Sequence, residues 1–166
     1  MPLPNKAGEP DFKLKVEPND RLLMKYKLGE ESSVDLKITN TLKERASFKV
    51  KCTDNEIFRV RPPLGFVKPG ETAVVKVTIK TKNVPDPHRH FFAIYHLACA
   101  DLKANARSVW NAEAKPDGVI RIQAALEDME KKEDKKEEEK KDEGKKEEKK
   151  EEDDKKEEDK KEDKKE

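Results

Sequence analysis

Three histidines and two cysteines are the side chains of this 166-residue protein best suited to chemistry. On a strand, His88 and His90 share one face and His96 keeps their parity. With Cys99 close by, these are the ligand types of a zinc site. The spacing argues against one: Cys99 has the opposite parity, and the gap from His90 to His96 is long for side chains on one strand. The expected reading is polar surface and strand histidines. No Gly-rich phosphate loop, Ser–His–Asp signature or catalytic carboxylate pair occurs. Cys52 and Cys99 are too few for a disulfide framework and read as half-buried reduced thiols. The expectation is no catalytic residue, no metal, no cofactor and no enzyme.

The elements that carry these residues alternate with period two. Phe12, Leu14 and Val16 share a parity, as do Leu22, Met24, Tyr26 and Leu28, and then Val34, Leu36 and Ile38. Phe48, Val50 and Cys52 follow, and later Ala73, Val75, Val77 and Ile79, each set interleaved mainly with charged or hydroxylated residues. Such runs are half-buried antiparallel strands. Phe91–Cys99 is apolar on both parities, as a central strand would be, and Val119, Ile120 and Ile122 close the series. One helical turn is expected around Asn105–Asn111, with Trp110 as a large anchor. Short strands punctuated by turns predict an all-β sandwich.

The stretch VRPPLGFVKPGE, Val60–Glu71, reads as a stiff corner. Pro62 and Pro63 remove two backbone donors and hold the chain extended. Gly65 permits a turn, Phe66 and Val67 form a short edge strand, and Pro69-Gly70 turns the chain into the next strand.

The order of these signals resembles the major sperm protein (MSP) domain family, which includes nematode sperm cytoskeletal proteins and VAP-type membrane-contact proteins. The residues that carry it are Leu14-Lys15-Val16-Glu17-Pro18, Val34-x-Leu36-x-Ile38-Thr39-Asn40 and Phe48-Lys49-Val50-Lys51. Phe58-Arg59-Val60-Arg61-Pro62-Pro63-x-Gly65, Pro69, Phe92-x-Ile94, Trp110 and Asp117-Gly118-Val119 complete it, so that it spans roughly residues 10–124. The Pro-Pro-x-Gly corner is closer to the sperm branch than to the VAP branch. The resemblance implies an immunoglobulin-like sandwich of seven strands that is non-enzymatic and built for protein–protein contact.

It also implies a place to look for a partner. VAP-type members capture short acidic FFAT peptides in a basic groove, whose Lys-Phe-Met run falls on Phe91-Phe92-Ala93. Phe91 and Ala93 thus replace a lysine and a methionine, while Lys51-Cys52-Thr53 keeps a lysine and a threonine. A further groove lysine is replaced by Val119. Fewer cations mean fewer charge-assisted contacts to an acidic partner, so weak or absent FFAT binding is expected. The residues implied in protein binding are Lys49, Lys51, Thr53, Phe91 and Ala93.

Charge divides the chain. Residues 131–166 hold 16 Lys, 19 Asp or Glu and one Gly, and residues 127–166 carry a net charge of −6 against +7 for residues 1–126. With no apolar side chain beyond Met129, the tail cannot form a coiled-coil seam or a core. A frayed, salt-sensitive helix in exchange with disordered chain is expected. Dispersed body charges and an anionic tail disfavour nucleic acid. No run approaches the roughly 20 apolar residues of a membrane span.

The expected organisation is an N-terminal extension over 1–9, an MSP-like immunoglobulin-like β-sandwich over 10–126 and a Lys/Glu-rich low-complexity tail over 127–166. The expected function is an accessory or regulatory component of MSP filament assembly, cytoplasmic or in the sperm cytoskeleton or pseudopod. Its partners would be MSP subunits or filaments, and acidic peptide segments including its own tail. The alternative is a VAP-like adaptor for acidic peptides.

Overall fold

The computed structural model describes residues 1–131. Of the tail expected over 127–166, residues 127–131 lie in that range, with Glu127 and Asp128 ending the last strand, and the expectations for the rest fall outside it. The described residues form nine strands and the helical turn α1, with residues 129–131 also helical: β1 (Lys15–Glu17), β2 (Arg21–Tyr26), β3 (Glu31–Thr39), β4 (Ala46–Cys52), β5 (Phe58–Arg61), β6 (Leu64–Val67), β7 (Thr72–Lys80), β8 (Phe91–Ala98), α1 (Ala106–Val109) and β9 (Gly118–Asp128). They form two sheets, in the orders β1-β3-β7-β5 and β2-β9-β8-β4-β6. The sandwich is the one expected, with nine strands rather than seven. Short runs such as β1 and β6 pair at sheet edges and add to the longer strands.

Alternation decides which side chains face inward. Along the β3/β7 ladder, Val34 opposes Val77 and Leu36 opposes Val75. In the other sheet, Val50 opposes Ile94, which in turn opposes Ile120. Leu36, Ile38, Val75, Val77, Ile79, Ile94 and Ile122 are all 0% exposed, and each stabilises the fold by about 1.5–3 kcal/mol relative to an exposed position. Phe58 of β5 meets Phe92 of β8 edge-on, ring centroids 5.2 Å apart, which ties the two sheets together.

The proline corner is where the chain changes sheet. It leaves the first sheet after Arg61, passes a cis Arg61–Pro62 bond, and enters the edge of the second sheet as β6. Pro63 still contributes, since its carbonyl accepts from Val50 N–H at 2.7 Å. Buried Asn40 braces the far end: its amide donates to the Glu44 and Val67 carbonyls at 2.7 and 2.9 Å, and its own carbonyl accepts from Gly70 N–H. Gly70 has φ +75°, the left-handed region in which glycine is unstrained.

The expected helical turn is α1. Asn105 caps it, its side chain accepting from Arg107 N–H. Trp110, next in the chain, lies half-buried over the outer side of the five-stranded sheet, and its indole N–H donates to Ser47 Oγ at 2.8 Å.

Candidate functional site

The five residues singled out from the sequence meet on the outward face of the five-stranded sheet. On β4 the inward set is Ala46, Phe48 and Val50, so Arg45, Ser47, Lys49, Lys51 and Thr53 have the outward parity. On β8 the inward set is Phe92 and Ile94, which leaves Phe91, Ala93 and Tyr95 outward. The register puts Lys51 opposite Ala93 and Lys49 opposite Tyr95.

Their surroundings differ. Lys51 is exposed and Lys49 half-buried, and among the described residues neither has a carboxylate partner. Instead Lys49 Nζ lies 5.8 Å from the Trp110 ring centre and Lys51 Nζ lies 5.9 Å from that of Tyr95. The Arg45 guanidinium sits 4.0 Å over Phe66. Each pair sets a cation over a ring face without a carboxylate to neutralise it, and Arg45 is also held by the Cys99 and Asp101 carbonyls, which accept from its guanidinium. Thr53 is committed locally, accepting from Phe91 N–H at 3.4 Å and bonding His90 Nδ1 at 3.1 Å. Phe91 is half-buried, and Ala93, although outward on its strand, is only 5% exposed.

A residue the sequence did not single out completes the face. Val119, where a groove lysine would stand, is 2% exposed, but Arg121 follows it at the same parity on β9. Arg121 pairs with Ala93, so Lys51, Ala93 and Arg121 form one row across three strands. Two strand spacings separate the cationic residues, about 10 Å between backbones.

Arg121 is already occupied. Its two Nη atoms donate to both Glu9 oxygens at 2.6 and 2.7 Å, in the bidentate geometry of the strongest charge-assisted pairs. The Arg121 side chain is 8% exposed and that of Glu9 26%. The hydrogen bond from Arg121, followed by that from Lys6 N–H, pushes the Glu9 carboxyl down to about 2, and the Glu9 hydrogen bond raises Arg121.

The candidate metal ligands do not assemble. His88 is exposed before β8, His90 is buried against Thr53 and Phe58, and His96 lies 0% exposed inside the sandwich. Among the described residues no group of three His, Cys, Asp or Glu side chains is placed to hold a metal ion. Burial pushes the Cys52 thiol up, away from the reactive thiolate, and its Sγ donates to Asn55 Oδ1 at 3.1 Å. Cys52 and Cys99 are both free and half-buried. None of the described helices is long and apolar enough to cross a membrane.

Residues 13–117 match the family model of the MSP (Major sperm protein) domain. An uncharacterized protein of Caenorhabditis elegans, R05D3.5, is 35% identical over 148 residues, which cover 75% of this chain and 82% of that protein. Human vesicle-associated membrane protein-associated protein A is 29% identical over 110 residues, 64% of this chain and 43% of its own. Among solved structures, SSP-19, an MSP-domain protein like family member of C. elegans, superposes with TM-score 0.57 at 20% identity, covering 69% of this chain and 99% of that one. At that identity the likeness concerns the fold.

Proposed function

The chain belongs to the MSP domain family, and from that premise we propose that it is a non-enzymatic protein-interaction module, an accessory or regulatory component of MSP filament assembly in nematode sperm motility. It works in the cytoplasm, at the cytoskeleton or pseudopod, and its partners are MSP subunits or filaments. The observation that carries this reading is the strip of cations along β4 and just before it that lie over aromatic rings: Arg45 on Phe66, Lys49 on Trp110 and Lys51 on Tyr95. Flat rings with unneutralised charge above them suit a protein partner that brings acidic side chains and apolar surface together. No nucleotide or cofactor enters the mechanism.

The test is to add the purified protein to an MSP assembly assay and measure filament growth and co-sedimentation. Co-sedimentation with a changed growth rate is expected, and the double variant Lys49→Glu, Lys51→Glu should lose at least tenfold in the bound fraction. Wild-type protein that neither sediments with filaments nor alters growth would sink the reading. A second reading, an adaptor for short acidic peptides, is favoured by the Lys51–Ala93–Arg121 row, which sets two cationic residues on either side of a small apolar one.

A further inference from the structure

We infer that residues 3–11 are a removable cover on this sheet, an intramolecular stand-in for an extended acidic segment of a partner. The inference rests on the acidic-peptide reading and adds its regulation.

The arm pairs with the first residues of β9 as a partner strand would, although β9 lies between β2 and β8 in the sheet. Leu3 N–H donates to the Arg121 carbonyl at 2.8 Å, Val119 N–H donates to the Pro10 carbonyl at 3.1 Å, and Asn5 Nδ2 donates to the Val119 carbonyl at 3.1 Å. Leu3 bridges Arg121 antiparallel and Asp11 bridges Val119 in parallel. Between these points Lys6–Glu9 makes its own tight turn, with Glu9 N–H donating to the Lys6 carbonyl at 3.1 Å and Gly8 at φ +83°. The turn presents the Glu9 carboxylate to Arg121 and holds it with Lys6 N–H at 2.8 Å.

Almost nothing apolar anchors the arm. Pro2, Pro4, Lys6, Ala7, Gly8 and Pro10 are exposed, and Leu3 is only half-buried. Releasing it therefore sacrifices backbone pairing and one ion pair rather than buried hydrocarbon. An incoming strand with a carboxylate would restore both, since main-chain pairing gives affinity and side-chain contacts give specificity in this mode. Release also uncovers Arg121 across Ala93 from Lys51, adding a further cation to the face. Glu9 thus keeps the face closed to weak acidic ligands.

The test titrates the full chain with a synthetic FFAT-type acidic peptide by calorimetry at low salt, and follows the Leu3 amide by hydrogen exchange. Glu9→Gln removes the carboxylate charge, and Leu3→Pro removes the arm's first backbone donor. Glu30→Gln, a matched charge change in the β2–β3 turn, is the control. Both arm variants should bind at least tenfold tighter than wild type and the control should not, while the peptide should speed Leu3 exchange in the wild-type protein. Equal binding by all four proteins would overturn the cover and leave the acidic-peptide reading standing. No binding by any of them, with Leu3 exchange already fast in Glu9→Gln, would overturn both.

Discussion

The outer faces of the two sheets are built from the same kinds of residue and used differently. On the four-stranded sheet, charges and hydroxyls pair with their own neighbours: Lys15 with Glu17 at 2.8 Å, Lys80 with Glu31 at 3.6 Å, Ser33 with Thr78 at 2.8 Å and Thr39 with Thr72 at 2.7 Å. On the five-stranded sheet, Arg45, Lys49 and Lys51 lie over rings, and Trp110 and the N-terminal arm lie across the strands. Exposed ion pairs and hydroxyl pairs contribute little to stability, so the first face is a solvated wall. The second sets three of its cations over aromatic rings and is partly covered by the chain's own segments, which suits an interaction surface.

If that contrast is right, damage should be unequal. The largest effect is expected at Gly118, where β9 begins and the arm crosses it. A Cβ there would collide with His96 Cε1 and with the Asp11 carbonyl, and one of these groups is backbone. Gly118→Ala should cost about 3 kcal/mol, visible as a lower melting temperature. A wild-type melting curve would mean the arm is not seated as described.

Next comes acid. His96 lies on the core side of the five-stranded sheet, with Phe12 edge-on at 4.8 Å, and neither ring nitrogen has a hydrogen-bond partner among the described residues. Burial lowers its pKa from the ordinary 6.5; Asp117 opposes this and Lys13 adds to it. Because the folded state resists protonation, its contribution is complete above pH 6.5 and is lost as pH falls below that value. Chemical denaturation of wild type between pH 7.5 and 5 should therefore show falling stability, and His96→Met should flatten the profile. Parallel profiles would remove His96 as the cause.

The smallest effect is expected on the solvated wall. Ser33→Ala breaks the exposed hydroxyl pair with Thr78, and denaturation should register less than about 0.5 kcal/mol. A loss near that of Gly118→Ala would erase the distinction between the faces.

Much of the fold was legible because burial writes period two into a strand. The runs around Leu36, Val50 and Val75 give their inward faces directly. The corner at Pro62-Pro63 announces itself because proline cannot donate to a ladder. The site was harder to read. The resemblance sets Val119 where a groove lysine stands, although Val119 and Arg121 share a parity and that pattern points to the arginine. Thr53 and Ala93 were singled out, but the first is held by His90 and Phe91 and the second is nearly buried.

The sequence by itself determined an all-β sandwich of the MSP family, a stiff proline corner and the strands that carry the candidate face. Only the tertiary structure decided that Lys51, Ala93 and Arg121 share one row, and that Glu9, 112 residues away from Arg121 in the chain, closes it. The physical reason is that alternation records which side of a strand faces the core. It carries no record of which strands are neighbours, in what register, or which distant charge fills the gap; those follow from long-range pairing across the folded sheet.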